Sequence, residues 1–266
     1  MGLNVLTVGE GRPLLLLHGF TGSARSWSRQ MASWSAGHRI VAPDLLGHGG
    51  SDAPADPAAY VPERQADDLA ELLGLLDASP VAVVGYSMGA RLALVLALSH
   101  PDMVERLVLE SPSAGIADAL ARAQRREADE CLAGDIERDG LEAFVDGWQA
   151  LPLFASQAAL PTATRAELRA ERLGHDPRGL AASLRGAGQG AMEPLHERLP
   201  AIHVPTLILA GTLDPTGLER ARTVGDGIPD ARLEVISGAG HCLHLEAPDE
   251  FLRLTNDHLH ISHATH

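Results

Sequence analysis

Residues 81–89 read V-A-V-V-G-Y-S-M-G, an apolar run of strand-forming residues that leads straight into G-x-S-x-G. Ala90, Ala93, Leu94 and Ala97 follow at helical spacing, so the serine stands at a strand-to-helix turn. Such a turn forces the central residue into a strained backbone and lifts its hydroxyl above the sheet, which makes Ser87 a candidate nucleophile or base. Gly85 and Gly89 fit the same reading, because strand and helix must pass close together there. A glycine-rich turn without chemistry is the plain alternative, and the strand and helix on either side count against it.

Working outward, a serine of this kind needs a histidine and an acid, expected in the chain order serine, acid, histidine. Gly238-Ala239-Gly240-His241 follows the apolar run Leu233 to Ile236, so His241 sits on a loop past a strand. Asp214 follows the run Thr206 to Ala210 in G-T-L-D and is the candidate to hold the His241 tautomer. The plain alternative for Asp214 is a helix N-cap or turn aspartate. Glu110, at the end of Leu107 to Glu110, is the rival acid and ranks below it.

The strand-like runs at Leu14–Leu17, Arg39–Val41, Val81–Gly85, Leu107–Glu110, Thr206–Ala210 and Leu233–Ile236 alternate with helix-patterned segments in the first part of the chain. Trp27, Met31 and Trp34 share one face, and Pro62 to Leu76 repeats apolar residues at spacings of three and four. Strands alternating with helices predict an α/β protein with a mostly parallel sheet covered on both faces. Between Ser111 and about Pro200 the strand signal stops. Ala, Arg, Glu and Leu dominate there, broken by Pro152, Pro161, Pro177 and Pro194, which predicts four or five short helices forming a lid. The expected organisation is a core of residues 1–111 and 201–266 with residues 112–200 as the helical lid insertion.

Composition bounds the function. The 266 residues suit one α/β domain with a large core. The net charge of −14 argues against nucleic acid or an anionic membrane as partner. No stretch is apolar enough for a stable membrane insertion, and no basic segment with a cleavage site frames Leu14–Leu17, so a cytoplasmic location is expected. Two cysteines, Cys131 and Cys242, suggest no disulfide framework, and Cys242 reads as a small packing residue. Every basic residue is arginine. His258, His260, His263 and His266 read as a solvated tail, and no metal or organic cofactor follows from the residues. Oligomeric state is not encoded in any motif.

Taken together these features resemble the α/β-hydrolase superfamily. The resemblance runs through H-G-F-T-G at 18–22, D-L-L-G-H-G-G-S-D at 44–52, the serine turn, the acid and the terminal histidine. It implies an α/β-hydrolase fold, a mostly parallel sheet flanked by helices with an inserted helical lid. It also implies an oxyanion hole built from the backbone N–H groups of Phe20 and Met88. Loop histidines such as His18 and His48 are structural in that fold.

A finer resemblance lies in G-Y-S-M-G-A-R at 85–91, R-A-Q-R at 122–125, F-V-D-G-W-Q-A-L-P-L-F at 144–154, A-E-L-R-A-E-R ending at Arg172, and G-L-A-A-S-L-R-G-A-G-Q-G from Gly179. This series is similar to the menaquinone-pathway family that makes 2-succinyl-6-hydroxy-2,4-cyclohexadiene-1-carboxylate by eliminating pyruvate. The chain departs from it in having Gly89-Ala90 where Gly-Gly is frequent. The resemblance implies that Ser87, Asp214 and His241 act as base machinery, that Arg91, Arg125 and Arg172 take the carboxylates of a small polycarboxylate substrate, and that Tyr86 and Trp148 line the same pocket. Arg125 and Arg126 could exchange roles. Arginine's planar fork suits bidentate carboxylate contacts in an otherwise acidic protein. The rival reading is a serine ester or carbon–carbon bond hydrolase with the same triad; a ligand-binding protein on this scaffold is a third.

Overall fold

The computed structural model describes residues 2–259. Seven strands build the sheet: β1 (Val5–Val8), β2 (Arg12–Leu17), β3 (His38–Pro43), β4 (Val81–Tyr86), β5 (Val104–Glu110), β6 (Thr206–Gly211) and β7 (Ala231–Ile236). They lie in the order β1-β3-β2-β4-β5-β6-β7. All pair in parallel except β1, which runs antiparallel to β3 at the edge. The expected α/β-hydrolase architecture is therefore present, with one strand more than the sequence patterns predict. V-L-T-V is short and largely exposed, so β1 carries no buried apolar face to announce it.

Alternate residues of the central strands feed two cores, as a two-residue side-chain repeat requires. Leu15, Leu17, Val83, Leu107, Leu109 and Ile208 face one side. There α2 (Pro62–Leu75), α3 (Met88–Ser99) and α7 (Pro215–Gly227) cover them. Leu14, Leu16, Ile40, Val84, Val108 and Leu207 face the other side and meet Trp27, Met31 and Trp34. The last two belong to α1 (Ser28–Trp34). Phe251 and Leu254 of α9 (Pro248–Leu259), reached through the single turn α8 (Leu243–Glu246), complete that layer. His258 is buried on α9 rather than solvated, because the apolar face of that helix carries it against the sheet. His260, His263 and His266 lie outside the described residues.

Between β5 and β6 the chain makes the helical insertion: α4 (Ala119–Gln149), a 3-10 stretch over Pro152–Ala159, α5 (Thr162–Leu173) and α6 (Pro177–Ala187). The span α4 is two helices meeting at a kink at Gly140, whose φ of 82° and ψ of 176° are non-helical, so the insertion falls into several separate helices as expected. Ala133, Ile136, Phe144 and Val145 of α4 pack on Leu180, Ala181 and Leu184 of α6 as a separate small core. Polar links tie the insertion to the sheet's loops. Glu171 accepts from the hydroxyls of Ser23 (2.5 Å) and Ser26 (2.9 Å). His175 Nε2 donates to the Thr21 carbonyl (2.9 Å) while its Nδ1 accepts from the Gly49 N–H (3.0 Å). Among the described residues no helix is long and apolar enough to cross a membrane.

Candidate active site

The turn after β4 supplies the reactive geometry. Ser87 has φ 51° and ψ −102°, a left-handed strained conformation rare for a non-glycine residue. Its N–H donates to the Glu110 carbonyl (2.9 Å), which fixes the turn against β5. Gly85 and Gly89 are required by close approach. A Cβ on Gly85 would lie 2.6 Å from the Gly89 carbonyl oxygen, and one on Gly89 would collide with the Leu17 carbonyl.

Three elements then converge. The Ser87 hydroxyl lies 3.0 Å from His241 Nε2, and His241 Nδ1–H donates to Asp214 Oδ2 at 2.7 Å. His241 comes from the loop after β7 and Asp214 from the end of β6. Asp214 does both things open to it in the sequence: Oδ2 holds the histidine, and Oδ1 accepts from the Gly217 N–H (2.9 Å), capping α7. Burial pushes the Asp214 carboxyl up. The hydrogen bonds from His241 and Gly217, with the charges of His241 and Arg220, outweigh that and hold it below its usual range.

Glu110 serves a different histidine. Its carboxylate receives His244 Nδ1–H at 2.8 Å and the His244 backbone N–H at 3.1 Å, in a fully buried pair beneath Trp27. Burial disfavours the charged imidazole. The facing Cys242 and Glu110 more than offset this, and His244 titrates well above its usual value. Cys242 completes this group, its ligand atom within 4.8 Å of the other two. Burial drives its thiol upward, partly opposed by the neighbouring His244, so Cys242 is electrostatically tied to the Glu110–His244 pair.

Ser87 and His241 open into a cleft of about 110 Å³. Phe20, Tyr86, Met88, Arg91, Arg125 and Trp148 line it. Met88 opens α3, where the first N–H groups of a helix have no partner within it. Arg91, one turn further on, is 8% exposed and gives one guanidinium N–H to the Ala187 carbonyl (2.7 Å). Burial, and then the charge of Arg125, push it down to about 10. Arg125 bonds Asp129 at 2.8 Å across one turn of α4, whereas Arg126 turns to the Gly190 carbonyl (3.1 Å) and does not line the cleft. Trp148 meets Phe20 edge to face and Phe154 at a tilt, with ring centres 5.4 and 5.6 Å away. Burial raises the Tyr86 phenol well above its usual range, so it enters as a neutral hydroxyl.

Arg172 is elsewhere. It is 6% exposed, lies 5.4 Å from the Phe154 ring centre, and lines a second chamber with Glu171, Cys242 and His244. Phe20, Tyr86 and Phe154 line both chambers. Sequence reading overlooks Ser183, Gln189 and Arg220, which also line the main cleft. Only Arg220 carries a usable signal: it follows Gly217 by three residues, one helical repeat beyond the residue that Asp214 caps.

His18 and His48 take no part in the serine–histidine–aspartate chain. His18 Nδ1–H donates to the Gly19 carbonyl (2.8 Å) and Nε2 accepts from the Leu45 N–H (2.9 Å), holding the H-G-F loop. Burial lowers His18 to about 4, and burial also lowers His48 and His175. A histidine kept neutral in the fold contributes stability above its unfolded value of about 6.5, lost as pH falls toward the folded value. His244, shifted the other way, loses its contribution as pH rises. Stability is therefore expected to fall between pH 6.5 and 4, by on the order of 3 kcal/mol from His18 alone. Urea unfolding at pH 7 and pH 4.5 checks this, and equal midpoints would contradict it.

The family pattern of the alpha/beta hydrolase fold matches residues 12–248. The chain belongs to that family. A candidate 2-succinyl-6-hydroxy-2,4-cyclohexadiene-1-carboxylate synthase of Bacillus subtilis (strain 168) is 39% identical over 246 residues, covering 92% of this chain and 89% of that protein. The synthase of the same name from Salmonella heidelberg (strain SL476) is 32% identical, with 88% of each chain covered. Among solved structures, MenH from S. aureus superposes with a TM-score of 0.91 at 33% identity over 97% of both chains. An esterase from Exiguobacterium antarcticum gives 0.84 at 25% identity, over 96% of this chain and 94% of its own.

Proposed function

We propose that this member of the α/β-hydrolase family is a lyase that eliminates pyruvate from 2-succinyl-5-enolpyruvyl-6-hydroxy-3-cyclohexene-1-carboxylate. The product is 2-succinyl-6-hydroxy-2,4-cyclohexadiene-1-carboxylate, in menaquinone biosynthesis. The observation that carries the reading is the junction of a serine–histidine–aspartate chain with the buried, desolvated Arg91 in one cleft. A neutral ester has no use for that cation. The two synthases at 39% and 32% identity support the same reaction.

The mechanism follows from where protons and charge must go. Asp214 keeps His241 in the tautomer whose Nε2 accepts from Ser87. As the Ser87 proton passes to His241, the serine oxygen removes the ring proton beside the succinyl ketone. The C–H electron pair becomes an enolate, whose oxygen is stabilised by the N–H groups of Phe20 and Met88. Its collapse shifts the pair through the ring double bond and breaks the carbon–oxygen bond to the enolpyruvyl group. The departing enolate takes up a proton and ketonises to pyruvate, leaving the conjugated diene. No acyl-enzyme forms. Arg91 and Arg125 hold carboxylates while Tyr86 and Trp148 close the apolar wall, with residues 112–200 acting as a lid over the core.

The likeness to the Exiguobacterium antarcticum esterase supports a second reading, hydrolysis through a Ser87 acyl-enzyme, which needs the same three residues. The test is to incubate the purified protein with the enolpyruvyl compound and follow pyruvate and diene absorbance together. Matched appearance of both, lost in Ser87→Ala, is the expected result. Release no faster than the spontaneous rate, together with turnover of simple aryl esters, would establish the hydrolase instead.

A further inference from the structure

We infer that Arg220 is a third substrate-carboxylate cation of this cleft, approaching from the helix that Asp214 caps; the assignment rests on the polycarboxylate reading above. The substrate of that reading carries three carboxylates, on the ring, the succinyl chain and the enolpyruvyl group. Of the three arginines the sequence resemblance nominates, Arg172 lines the adjoining chamber, which shares Phe20, Tyr86 and Phe154 with the cleft. The cleft that holds Ser87 is left with Arg91 and Arg125, and Arg220 is the further arginine that lines it.

Its position is built by the fold. Gly217 and Arg220 are one helical repeat apart on α7, so both present the same face, and both line the cleft. A side chain at Gly217 would collide with the Asp214 carboxylate, which leaves Arg220 the first long side chain of α7 that the cleft meets. Arg91 reaches in from α3, Arg125 from α4 and Arg220 from α7, so a ligand would be held from three elements.

The other two cations already have protein partners, the Ala187 carbonyl for Arg91 and Asp129 for Arg125. Arg220 makes no hydrogen bond or ion pair among the described residues. It is exposed, so a polyanion can meet it from solvent. Desolvation, followed by the charge of Arg125, lowers Arg220, and the same two influences in the same order lower Arg91. Guanidinium groups that repel one another in a chain of net charge −14 are an arrangement an entering polycarboxylate relieves.

Steady-state kinetics of pyruvate release from wild type, Arg220→Gln and Arg220→Lys tests this. Arg220→Gln is expected to raise KM roughly tenfold with kcat within about twofold, and Arg220→Lys to recover part of the loss. A wild-type KM in Arg220→Gln would overturn the assignment. So would a fall confined to kcat with a displaced pH profile, which would mean that Arg220 acts through Asp214. Thermal-shift titration with propane-1,2,3-tricarboxylate reads the same cation without turnover, and equal affinity in wild type and Arg220→Gln would also overturn it. Failure of the wild type to release pyruvate sinks the lyase reading, whereas an active wild type with an unaltered variant sinks only Arg220.

Discussion

Ser87→Ala is expected to lower the rate of pyruvate release by roughly 10³-fold while leaving KM within a few-fold of wild type. The serine oxygen is the atom that meets the ring proton, and positioned acid–base groups are worth about 10²–10⁴-fold. The carboxylate contacts and the backbone donors near Phe20 and Met88 survive the change, so binding and some rate acceleration remain. Asp214→Asn should fall at least as far. An amide at the Oδ2 position no longer selects the Nδ1–H tautomer of His241, whose present bond is 2.7 Å. It should also lower stability, since Asp214 caps α7 through Gly217. Single-turnover diene absorbance with melting curves separates the two effects. A Ser87→Ala enzyme with more than a tenth of wild-type kcat would rule out the serine as base.

Arg91→Ala should reduce kcat/KM for the enolpyruvyl substrate by about 10²–10³-fold, because a carboxylate brought into the cleft would lose a buried, charge-assisted partner. Much of that loss is the cost of leaving the substrate anion desolvated and unpaired. The same variant should process a neutral aryl ester, if the wild type does so at all, within a few-fold of wild type. Arg91→Lys should fall between them, having a charge but no planar fork. Because Arg91 also donates to the Ala187 carbonyl at the end of α6, near-UV circular dichroism should accompany the kinetics. Wild-type kcat/KM in Arg91→Ala would remove the argument for a polycarboxylate.

The serine turn is legible in the amino-acid sequence because its causes are local. Strand, strained serine and helix fall within one short stretch, and Gly85 and Gly89 answer to backbone atoms packed directly against them. The parallel strands are legible as well, since burial on both faces leaves unbroken apolar runs. β1 is not, because an exposed edge strand needs no apolar repeat. Nor is the kink of α4, where Gly140 takes a non-helical conformation between two helical stretches.

Other features belong to contacts between distant parts of the chain. Asp214 and Glu110 both end core strands, and spacing ranks them without saying which histidine each one meets. Packing of α8 beneath Trp27 assigns Glu110 to His244, and the loop after β7 brings His241 to Asp214. Arg125, Arg172 and Arg220 are alike as letters on helices. Arg125 and Arg220 line the cleft with Ser87, whereas Arg172 lines the chamber beside it. Periodicity along one helix fixes a face only relative to that helix. Which chamber the face meets depends on how helices far apart in sequence settle on the sheet and on one another.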